Sequence, residues 1–377
     1  MTPGHAAPAR RSARVPLLPN PPPGTRLAHI RDHLVGAGEP EFRFRQLVHG
    51  LHHRRVTHFD ELSELPAPLR RELADHFGAT LLPLTPVAAR SAEQVEKVLF
   101  ETPGGARAET LLARYRAGWS SLCVSSQAGC GLGCTFCATG AVGLVRNLTA
   151  DEIHAQVVHP HWRGARDALP DSVAFMGMGE APANPHLFPA LHLLTAPGYA
   201  GISPRRITVS TVGFAPGLRR LTEEHPQVTL TLSVHSPFPE QRAELIPLER
   251  RFPLAENLAV LDRYVAARRR KVYLAYLLIA GVNDSPDHLA ALAALVRSRP
   301  RPGLFHVSVI PFNAATGADP AFTPPGEGCV ARFVGRLREL GVRATRRRQF
   351  GAGIDAACGQ LHARYLPRPR AGSAGTA

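Results

Sequence analysis

Residues 123–137 read CVSSQAGCGLGCTFC and contain four of the six cysteines of the 377-residue chain. Cys130, Cys134 and Cys137 have the spacing C-x3-C-x2-C, and the glycines between the first two let the backbone curl so that the thiols face inward. A zinc site usually has a fourth ligand at close spacing, which does not follow here, and a thioredoxin-like pair needs only two thiols. Three thiolates instead fit a 4Fe-4S cluster in which one iron lacks a protein ligand.

From about residue 95 onward, apolar and β-branched runs alternate with helix-like segments. The predicted strands cover residues 119–125, 171–176, 205–211, 228–234, 271–280 and 304–311. Six strands that alternate with helices predict a parallel α/β fold, either an open sheet or a barrel. Residues 341–350 predict one more strand.

Residues 26–78 predict short helices, because apolar positions recur three and four apart with basic residues on the other faces. Pro83 and Pro86 predict a linker after these helices. Thr149 and Glu152 have the spacing of a capping box, which predicts a helix start. The expected organisation is a basic, proline-rich disordered tail (1–24), a helical RNA-binding domain (25–90), a partial barrel (95–350), a C-terminal catalytic segment (351–366) and a second disordered tail (367–377).

The chain has 44 Lys and Arg against 30 Asp and Glu, a formal net charge of +14. Such an excess favours a polyanionic partner, with RNA or DNA the natural candidate, although an arginine-rich genome would also raise the count. No apolar run is long enough to span a bilayer, and the N-terminus lacks the apolar segment of a signal peptide. We therefore expect a cytoplasmic protein with reduced thiols and no membrane partner.

Polar residues follow several of the predicted strands. Residues 177–180 (GMGE), Ser210, residues 233–235 and Asn313 each stand where a strand ends. Because the carboxyl ends of parallel strands meet at one edge of a sheet, these residues are expected to share a site.

The cysteine spacing and the GMGE stretch resemble those of the radical S-adenosylmethionine (SAM) superfamily. Further stretches resemble the RlmN/Cfr family of adenosine methyltransferases, and several look closer to Cfr. They are SPRRITVSTVG, SVHSPFPEQR, GVNDS, IPFN and GIDAACGQL. The resemblance covers residues 40–366 and implies a partial six-stranded (β/α) barrel.

The resemblance also implies the cofactors and partners. SAM would bind the open iron of a 4Fe-4S cluster, and two SAM molecules would be used per turnover. A Cfr-like enzyme would methylate carbon 8 of an adenosine in the peptidyl-transferase centre of 23S rRNA, and an RlmN-like enzyme would methylate carbon 2, in some members also on tRNA. A reductant such as flavodoxin or ferredoxin is expected to supply the electron, and the enzyme is expected to be a monomer.

Individual residues take roles by the same resemblance. Cys358 would carry the methyl group, Cys123 would resolve the protein–RNA adduct by forming a disulfide with Cys358, and Glu109 would accept a proton. The alternative for Glu109 is a solvated strand carboxylate. Cys329 matches no family residue and is expected to pack. The expected SAM contacts are Gly179, Glu180, Ser210, Ser233, Val234, His235 and Asn313.

Some assignments stay open at the level of sequence. Ala181 stands where RlmN has proline, and Val234 where leucine is usual. Met176 fits either the wall of the site or the core. The N-terminal helices and residues 346–348 are candidate RNA contacts or a solvated basic face. A non-catalytic iron–sulfur RNA-binding protein is a further alternative, against which the presence of Cys123 and Cys358 argues.

Overall fold

The computed structural model describes residues 18–92, 94–159, 169–314 and 317–347. Cys358, Arg348, the C-terminal segment 351–366 and the tail 367–377 lie outside the described residues, as do residues 1–17 of the predicted N-terminal tail. Residues 18–24 lie against the fold, where the Pro19 carbonyl accepts a hydrogen bond from the Tyr199 hydroxyl (2.7 Å).

Three helices form the N-terminal part of the fold: α1 (Arg26–Gly36), α2 (Phe42–His49) and α3 (Ala67–Phe77). A π-helical turn, Gly50–Arg54, continues from α2. The apolar faces predicted from the sequence form a core around Leu27, Phe44 and Leu73, each at most 1% exposed. Burial of such side chains stabilises the fold by about 1.5–3 kcal/mol each.

The larger part is a mixed sheet with helices against it. Its strands, in chain order, are β1 (Thr85–Ala92), β2 (Val95–Glu101), β3 (Arg107–Arg114), β4 (Ser120–Val124), β5 (Gln127–Cys130), β6 (Gly143–Asn147), β7 (Ser172–Phe175), β8 (Ile207–Thr211), β9 (Thr229–Ser233), β10 (Val272–Leu278), β11 (Phe305–Pro311) and β12 (Ala344–Arg346). The order in the main sheet is β1-β2-β3-β4-β7-β8-β9-β10-β11-β12, and β5 and β6 pair antiparallel in a separate two-stranded sheet.

The main sheet changes direction at β4. From β4 to β12 all neighbours are parallel, whereas β1 to β4 pair antiparallel. The six predicted parallel strands are therefore confirmed, as is the seventh at β12, and the partial-barrel α/β fold class is correct. The antiparallel extension β1–β3 was not predicted, and Pro86 lies in β1 rather than in a linker. Strand β1 is exposed and pairs only with β2 among the described residues, and such an edge strand tolerates proline.

Helices follow most of the parallel strands. They are α4 (Ala138–Val142), α5 (Ala150–Val158), α6 (Leu187–Thr195), α7 (Ala215–Glu224), α8 (Pro239–Leu245), α9 (Leu254–Arg268), α10 (Pro286–Arg297) and α11 (Glu327–Glu339). The capping box is confirmed, since the Glu152 N–H donates to Thr149 Oγ1 (3.2 Å) and the Thr149 N–H donates to the Glu152 carboxylate (2.9 Å). Among the described residues, no helix is long and apolar enough to cross a membrane.

The N-terminal helices pack on the barrel through α5 and α6. Val158, Leu193 and Tyr199 belong to the same hydrophobic cluster as the N-terminal core. Two buried histidines also meet there, with His52 Nε2 2.9 Å from His154 Nε2. The helical part and the barrel are therefore in extensive apolar contact.

Candidate active site

A cavity of about 240 Å3 opens at the carboxyl ends of the parallel strands. Its walls come from β4, β8, β9, β10 and β11, from the loop after β7, and from the loop that joins β5 to α4. The sequence-predicted residues that line it are Cys123, Cys130, Cys134, Cys137, Met176, Gly179, Glu180, Ser210, Ser233 and His235. The fold therefore brings together most of the residues that were expected to share a site.

The three closely spaced cysteines enclose one side of the cavity. Burial, with smaller contributions from charge repulsion by Cys137 and Glu180, raises the pKa of Cys130 to about 12. Burial and the neighbouring thiols also raise the pKa of Cys134 well above its usual value. Three soft sulfur donors on one loop match the needs of an iron–sulfur cluster.

No group of three or more His, Cys, Asp or Glu residues in the described part of the chain could hold a single metal ion. The C-x3-C-x2-C spacing of the three cysteines is instead compatible with a four-iron cluster, in which each cysteine binds a different iron atom. Gly129, with φ +77°, directly precedes the first cysteine of the loop. A larger residue would not fit at this position, because a Cβ there would lie 2.0 Å from the Gly143 carbonyl oxygen.

The GMGE loop is tied to the segment that precedes the cysteines. The Ser126 and Gln127 N–H groups both donate to the Met178 carbonyl (2.9 and 3.1 Å), and the Glu180 N–H donates to Gln127 Oε1 (2.9 Å). Gly179 has φ +98°, and a Cβ there would lie 2.5 Å from the Gln127 side chain. Only glycine fits this loop without displacing Gln127.

Glu180 is a buried carboxylate whose orientation is fixed by β8 and its loop. The Thr211 hydroxyl and the Val212 N–H (3.1 Å) both donate to it. Burial nevertheless raises the pKa of Glu180 to about 7. A cationic group that entered the cavity would restore the charged form, which suits an amino group of a ligand.

His235 follows β9 in a left-handed conformation (φ +59°), with its side chain in the cavity wall. Its Nδ1 accepts a hydrogen bond from the Leu277 N–H (3.0 Å), and burial lowers its pKa to about 3. The ring is therefore neutral at physiological pH. It also contacts the Phe136 ring edge-on at 4.8 Å, which links β9 to the cysteine loop.

Two of the expected SAM contacts do not line the cavity. The side chain of Val234 is buried elsewhere, its N–H donates to the Ala275 carbonyl (2.9 Å), and its carbonyl accepts from Arg242. Asn313 directly follows Phe312, which does line the cavity. Asn313 Nδ2 is buried with no hydrogen-bond partner among the described residues, as expected of a donor that awaits a ligand.

Glu109 lies in β3 and is fully buried, so its interpretation as a solvated strand carboxylate is wrong. Its Oε1 is 3.2 Å from Nζ of Lys97, which is also buried. Glu109 does not line the cavity, but Leu111, two residues along the same face of the strand, does. The Glu109 N–H also lies 3.4 Å from the sulfur of Met178 in the GMGE loop.

Sequence reasoning missed Arg242, which is fully buried in α8 beneath the cavity. Its guanidinium donates to the carbonyls of Val212 (2.7 Å), Ser233 (2.8 Å) and Val234 (3.0 Å), and it forms an ion pair with Glu249. It thereby joins the ends of β8 and β9. Its position in the stretch HSPFPEQR was the available signal, but the run of polar residues gave no sign of burial.

The basic run at 346–348 is divided between two environments. Arg346 forms a surface ion pair with Glu327. Arg347 lines the cavity, with a guanidinium nitrogen 2.9 Å from the sulfur of Met176, which lines it too. Cys329 packs against the main core at the surface of α11, as expected, with Sγ 3.7 Å from an Asp284 oxygen.

Two family models match the chain. The model of the radical SAM superfamily matches residues 124–293, and a model described as the ribosomal RNA large subunit methyltransferase N-terminal domain matches residues 24–78. The first match includes the cysteine loop, the GMGE loop and the ends of β7 to β10, but neither Cys123 nor the end of β11. The second covers α1 to α3.

Relatives match over most of their length. "Ribosomal RNA large subunit methyltransferase Cfr" of Bacillus velezensis is 46% identical over 86% of this chain and 93% of its own. The protein of the same name from Staphylococcus aureus is 43% identical over 90% and 97%. A crystal structure of a radical SAM methyltransferase from Sphaerobacter thermophilus is 38% identical, with a TM-score of 0.84 over 91% of this chain and 99% of that one. The chain therefore belongs to the RlmN/Cfr family of radical SAM methyltransferases, whose cofactors are a 4Fe-4S cluster and SAM.

Proposed function

We propose that the protein methylates carbon 8 of an adenosine in the peptidyl-transferase centre of 23S rRNA, by way of a methyl group carried on Cys358. The observation that carries this proposal is the position of Cys123, whose side chain lines the same cavity as the three candidate cluster ligands. A thiol there can react with a second cysteine beside the cofactors. The large-subunit rRNA activity in the names of the relatives supports the choice of RNA.

In this proposal the chain divides the cofactor contacts between two walls of the cavity. Cys130, Cys134 and Cys137 hold the cluster. When bound, the cluster and SAM supply the methyl donor and a one-electron route to a carbon radical. The SAM contacts are Gly179 and Glu180 at the amino group, with Ser210, Ser233, His235 and Asn313 as further polar partners. The contact expected of Val234 is omitted, because both of its backbone groups already have partners.

Glu109 is proposed to accept the proton that the adenine loses. Its carboxylate is out of water and has the Lys97 ammonium as a charged partner, so the pair is buried between β2 and β3 rather than exposed on a strand. A positioned carboxylate of this kind contributes typically about 100- to 10,000-fold to a proton transfer. We expect a reductant such as flavodoxin or ferredoxin, and a monomeric enzyme.

The experiment is anaerobic reconstitution with reductant and an rRNA transcript, followed by nuclease digestion and mass spectrometry against 8-methyladenosine and 2-methyladenosine standards. We expect 8-methyladenosine. The match of residues 24–78 to a large-subunit methyltransferase N-terminal domain keeps carbon 2, on rRNA and also on tRNA, as the second candidate. A product that contains only 2-methyladenosine contradicts the carbon 8 proposal.

The carried-methyl step has its own control. Cys358→Ala is expected to abolish methylation while the cluster absorbance stays intact, whereas Cys329→Ala, at a cysteine that does not line the cavity, should leave both unchanged. Full turnover by Cys358→Ala contradicts the intermediate. Family membership weighs against a non-catalytic iron–sulfur RNA-binding protein, and formation of 5′-deoxyadenosine would exclude that alternative directly.

A further inference from the structure

A second cavity, of about 510 Å3, lies at the opposite end of the barrel strands. It is formed where β10, β11 and β12 begin, and we call it the basic cavity. Its charged and titratable wall residues are Lys271, His306, Arg338 and Arg343, and residues 341–344 supply the backbone between them. Among the described residues, no carboxylate lines it.

The cations of the basic cavity are not neutralised by the described carboxylates. Lys271, Arg338 and Arg343 form no ion pair with any carboxylate in the described part of the chain. Two other arginines of the same region are neutralised, since Arg336 pairs with Glu339 and Arg346 pairs with Glu327. Of these four arginines, the two in the cavity wall therefore keep a charge that no described carboxylate neutralises.

Two contacts fix the geometry of the cavity wall. Arg338 Nε donates to the Ala344 carbonyl (2.8 Å), which holds the guanidinium at the rim. His306 Nε2 lies 2.9 Å from Thr345 Oγ1. Burial lowers the pKa of His306, and Lys271, Arg343 and Arg338 lower it further by charge. The three cations thus act on one small region, where an anion would relieve their repulsion.

The basic cavity is too far from the active site to take part in its chemistry. Lys271 precedes β10 and Leu277 of the same strand lines the active-site cavity, a separation of six residues or roughly 20 Å. The positive surface continues along the exposed Arg268 and Arg269. A continuing track of charge fits a polyanion better than a single small anion.

We propose that the basic cavity and residues 268–271 bind the phosphodiester backbone of the RNA substrate at a second contact, remote from the methylated base. The second contact depends on the proposed function in one respect, namely that the substrate is RNA. Arg338 and Arg343 offer forked donors that suit phosphate oxygens, and Lys271 offers a point charge. Such a contact adds affinity and positions the RNA on the protein, but it does not distinguish one base sequence from another.

The test compares two variants with the same change in charge. One is Lys271→Gln/Arg338→Gln/Arg343→Gln. The control, Arg116→Gln/Arg263→Gln/Arg332→Gln, removes three exposed arginines that form no ion pair among the described residues. The probe is a long transcript of the peptidyl-transferase region, and the measurement is its affinity across a salt series.

We expect the basic-cavity variant to bind the transcript about tenfold more weakly, with a salt slope reduced by about two to three, because three phosphate contacts are lost and each removes about 0.7–0.9 from the slope. The control should keep the wild-type slope. Arg338→Lys/Arg343→Lys, which conserves charge, should also keep most of the slope. A hairpin too short to span about 20 Å should bind all variants equally.

The outcomes separate this proposal from the proposed function. Wild-type protein that neither binds nor methylates the transcript contradicts the proposed function. Normal wild-type methylation, together with wild-type affinity and slope in the basic-cavity variant, overturns the second contact alone. Unchanged RNA affinity with slower reduction by flavodoxin assigns the surface to an acidic protein and likewise overturns the RNA proposal.

Discussion

The two ends of the parallel strands carry cavities of opposite character. At the carboxyl end the charged groups are buried and partnered: Glu180 accepts two hydrogen bonds, and Arg242 pairs with Glu249. At the amino end the cations face solvent without carboxylate partners among the described residues. Reactive chemistry needs fixed dipoles and little water, whereas attraction of a polyanion needs charge that is still available. One set of strands serves both needs because the two ends are about 20 Å apart.

The largest effect is expected from loss of a candidate cluster ligand at the carboxyl end. Cys134→Ser should abolish iron–sulfur incorporation and formation of 5′-deoxyadenosine, because serine is a poor ligand for iron in such clusters. Iron and sulfide content and the absorbance spectrum of the reconstituted protein measure this. Cys329→Ser is the matched control, and a full cluster in Cys134→Ser would remove this residue from the ligand set.

The next largest effect concerns the buried ion pair below the active site. Arg242→Met should lower the free energy of unfolding by about 3–5 kcal/mol, because it leaves the Glu249 carboxylate buried without its partner. The double variant Arg242→Met/Glu249→Gln should recover part of this loss. Arg338→Met at the amino end should change stability by no more than about 0.5 kcal/mol. Chemical denaturation measures all three, and equal losses at both ends would contradict the comparison.

A smaller effect separates two glycines with positive φ. Gly179→Ala should cost about 2–4 kcal/mol, because strain at φ +98° adds to a clash with Gln127. Gly341→Ala, at φ +81° with nothing within 4 Å of the new Cβ, should cost about 1 kcal/mol from strain alone. Thermal denaturation measures the difference. If Gly341→Ala proves the costlier change, the GMGE loop is less crowded than described.

The smallest effect is in the titration of two histidines. Both pKa values lie below the ordinary histidine value of about 6.5. As the pH falls below 6.5, the unfolded chain takes up a proton that the folded chain does not, so each histidine lowers the stability of the fold. His235 should stay neutral down to about pH 3. His306 should titrate higher than His235, and its pKa should rise when RNA binds. NMR titration checks this, with His235→Gln and His306→Gln used to assign the signals. If the pKa of His306 does not change when RNA binds, no phosphate of the RNA lies near it.

The sequence predicted the parallel part of the fold well because buried parallel strands leave continuous apolar runs, as in YLAYLL of β10. It failed for β1 to β3. Strand β1 is exposed and contains Pro86, so it has neither the composition nor the alternation of a typical strand. Its place in the sheet is set by pairing with β2, which the local sequence does not encode.

The candidate site likewise combines residues that the sequence predicted with residues that it missed. The cysteine spacing and the GMGE stretch predicted residues that do line the cavity, because both are local patterns. Lys97 and Arg242 were missed because their burial depends on tertiary contacts that no local pattern reveals. Lys97 pairs with Glu109 on the neighbouring strand, and Arg242 pairs with Glu249 and donates to carbonyls at the ends of β8 and β9. The family resemblance also assigned Val234 to the site, although its side chain is buried in the core.

Gln127 fixes the shape of the site before a ligand binds, which matters for ligand affinity. Its backbone N–H holds the Met178 carbonyl, its side-chain oxygen holds the Glu180 N–H, and its side-chain amide donates to Asn147 Oδ1 (2.8 Å). One residue thus locks the loop beside the cysteines, the GMGE loop and β6 into a single unit. SAM would then meet a site that is already shaped, so little of its binding energy is spent on ordering loops.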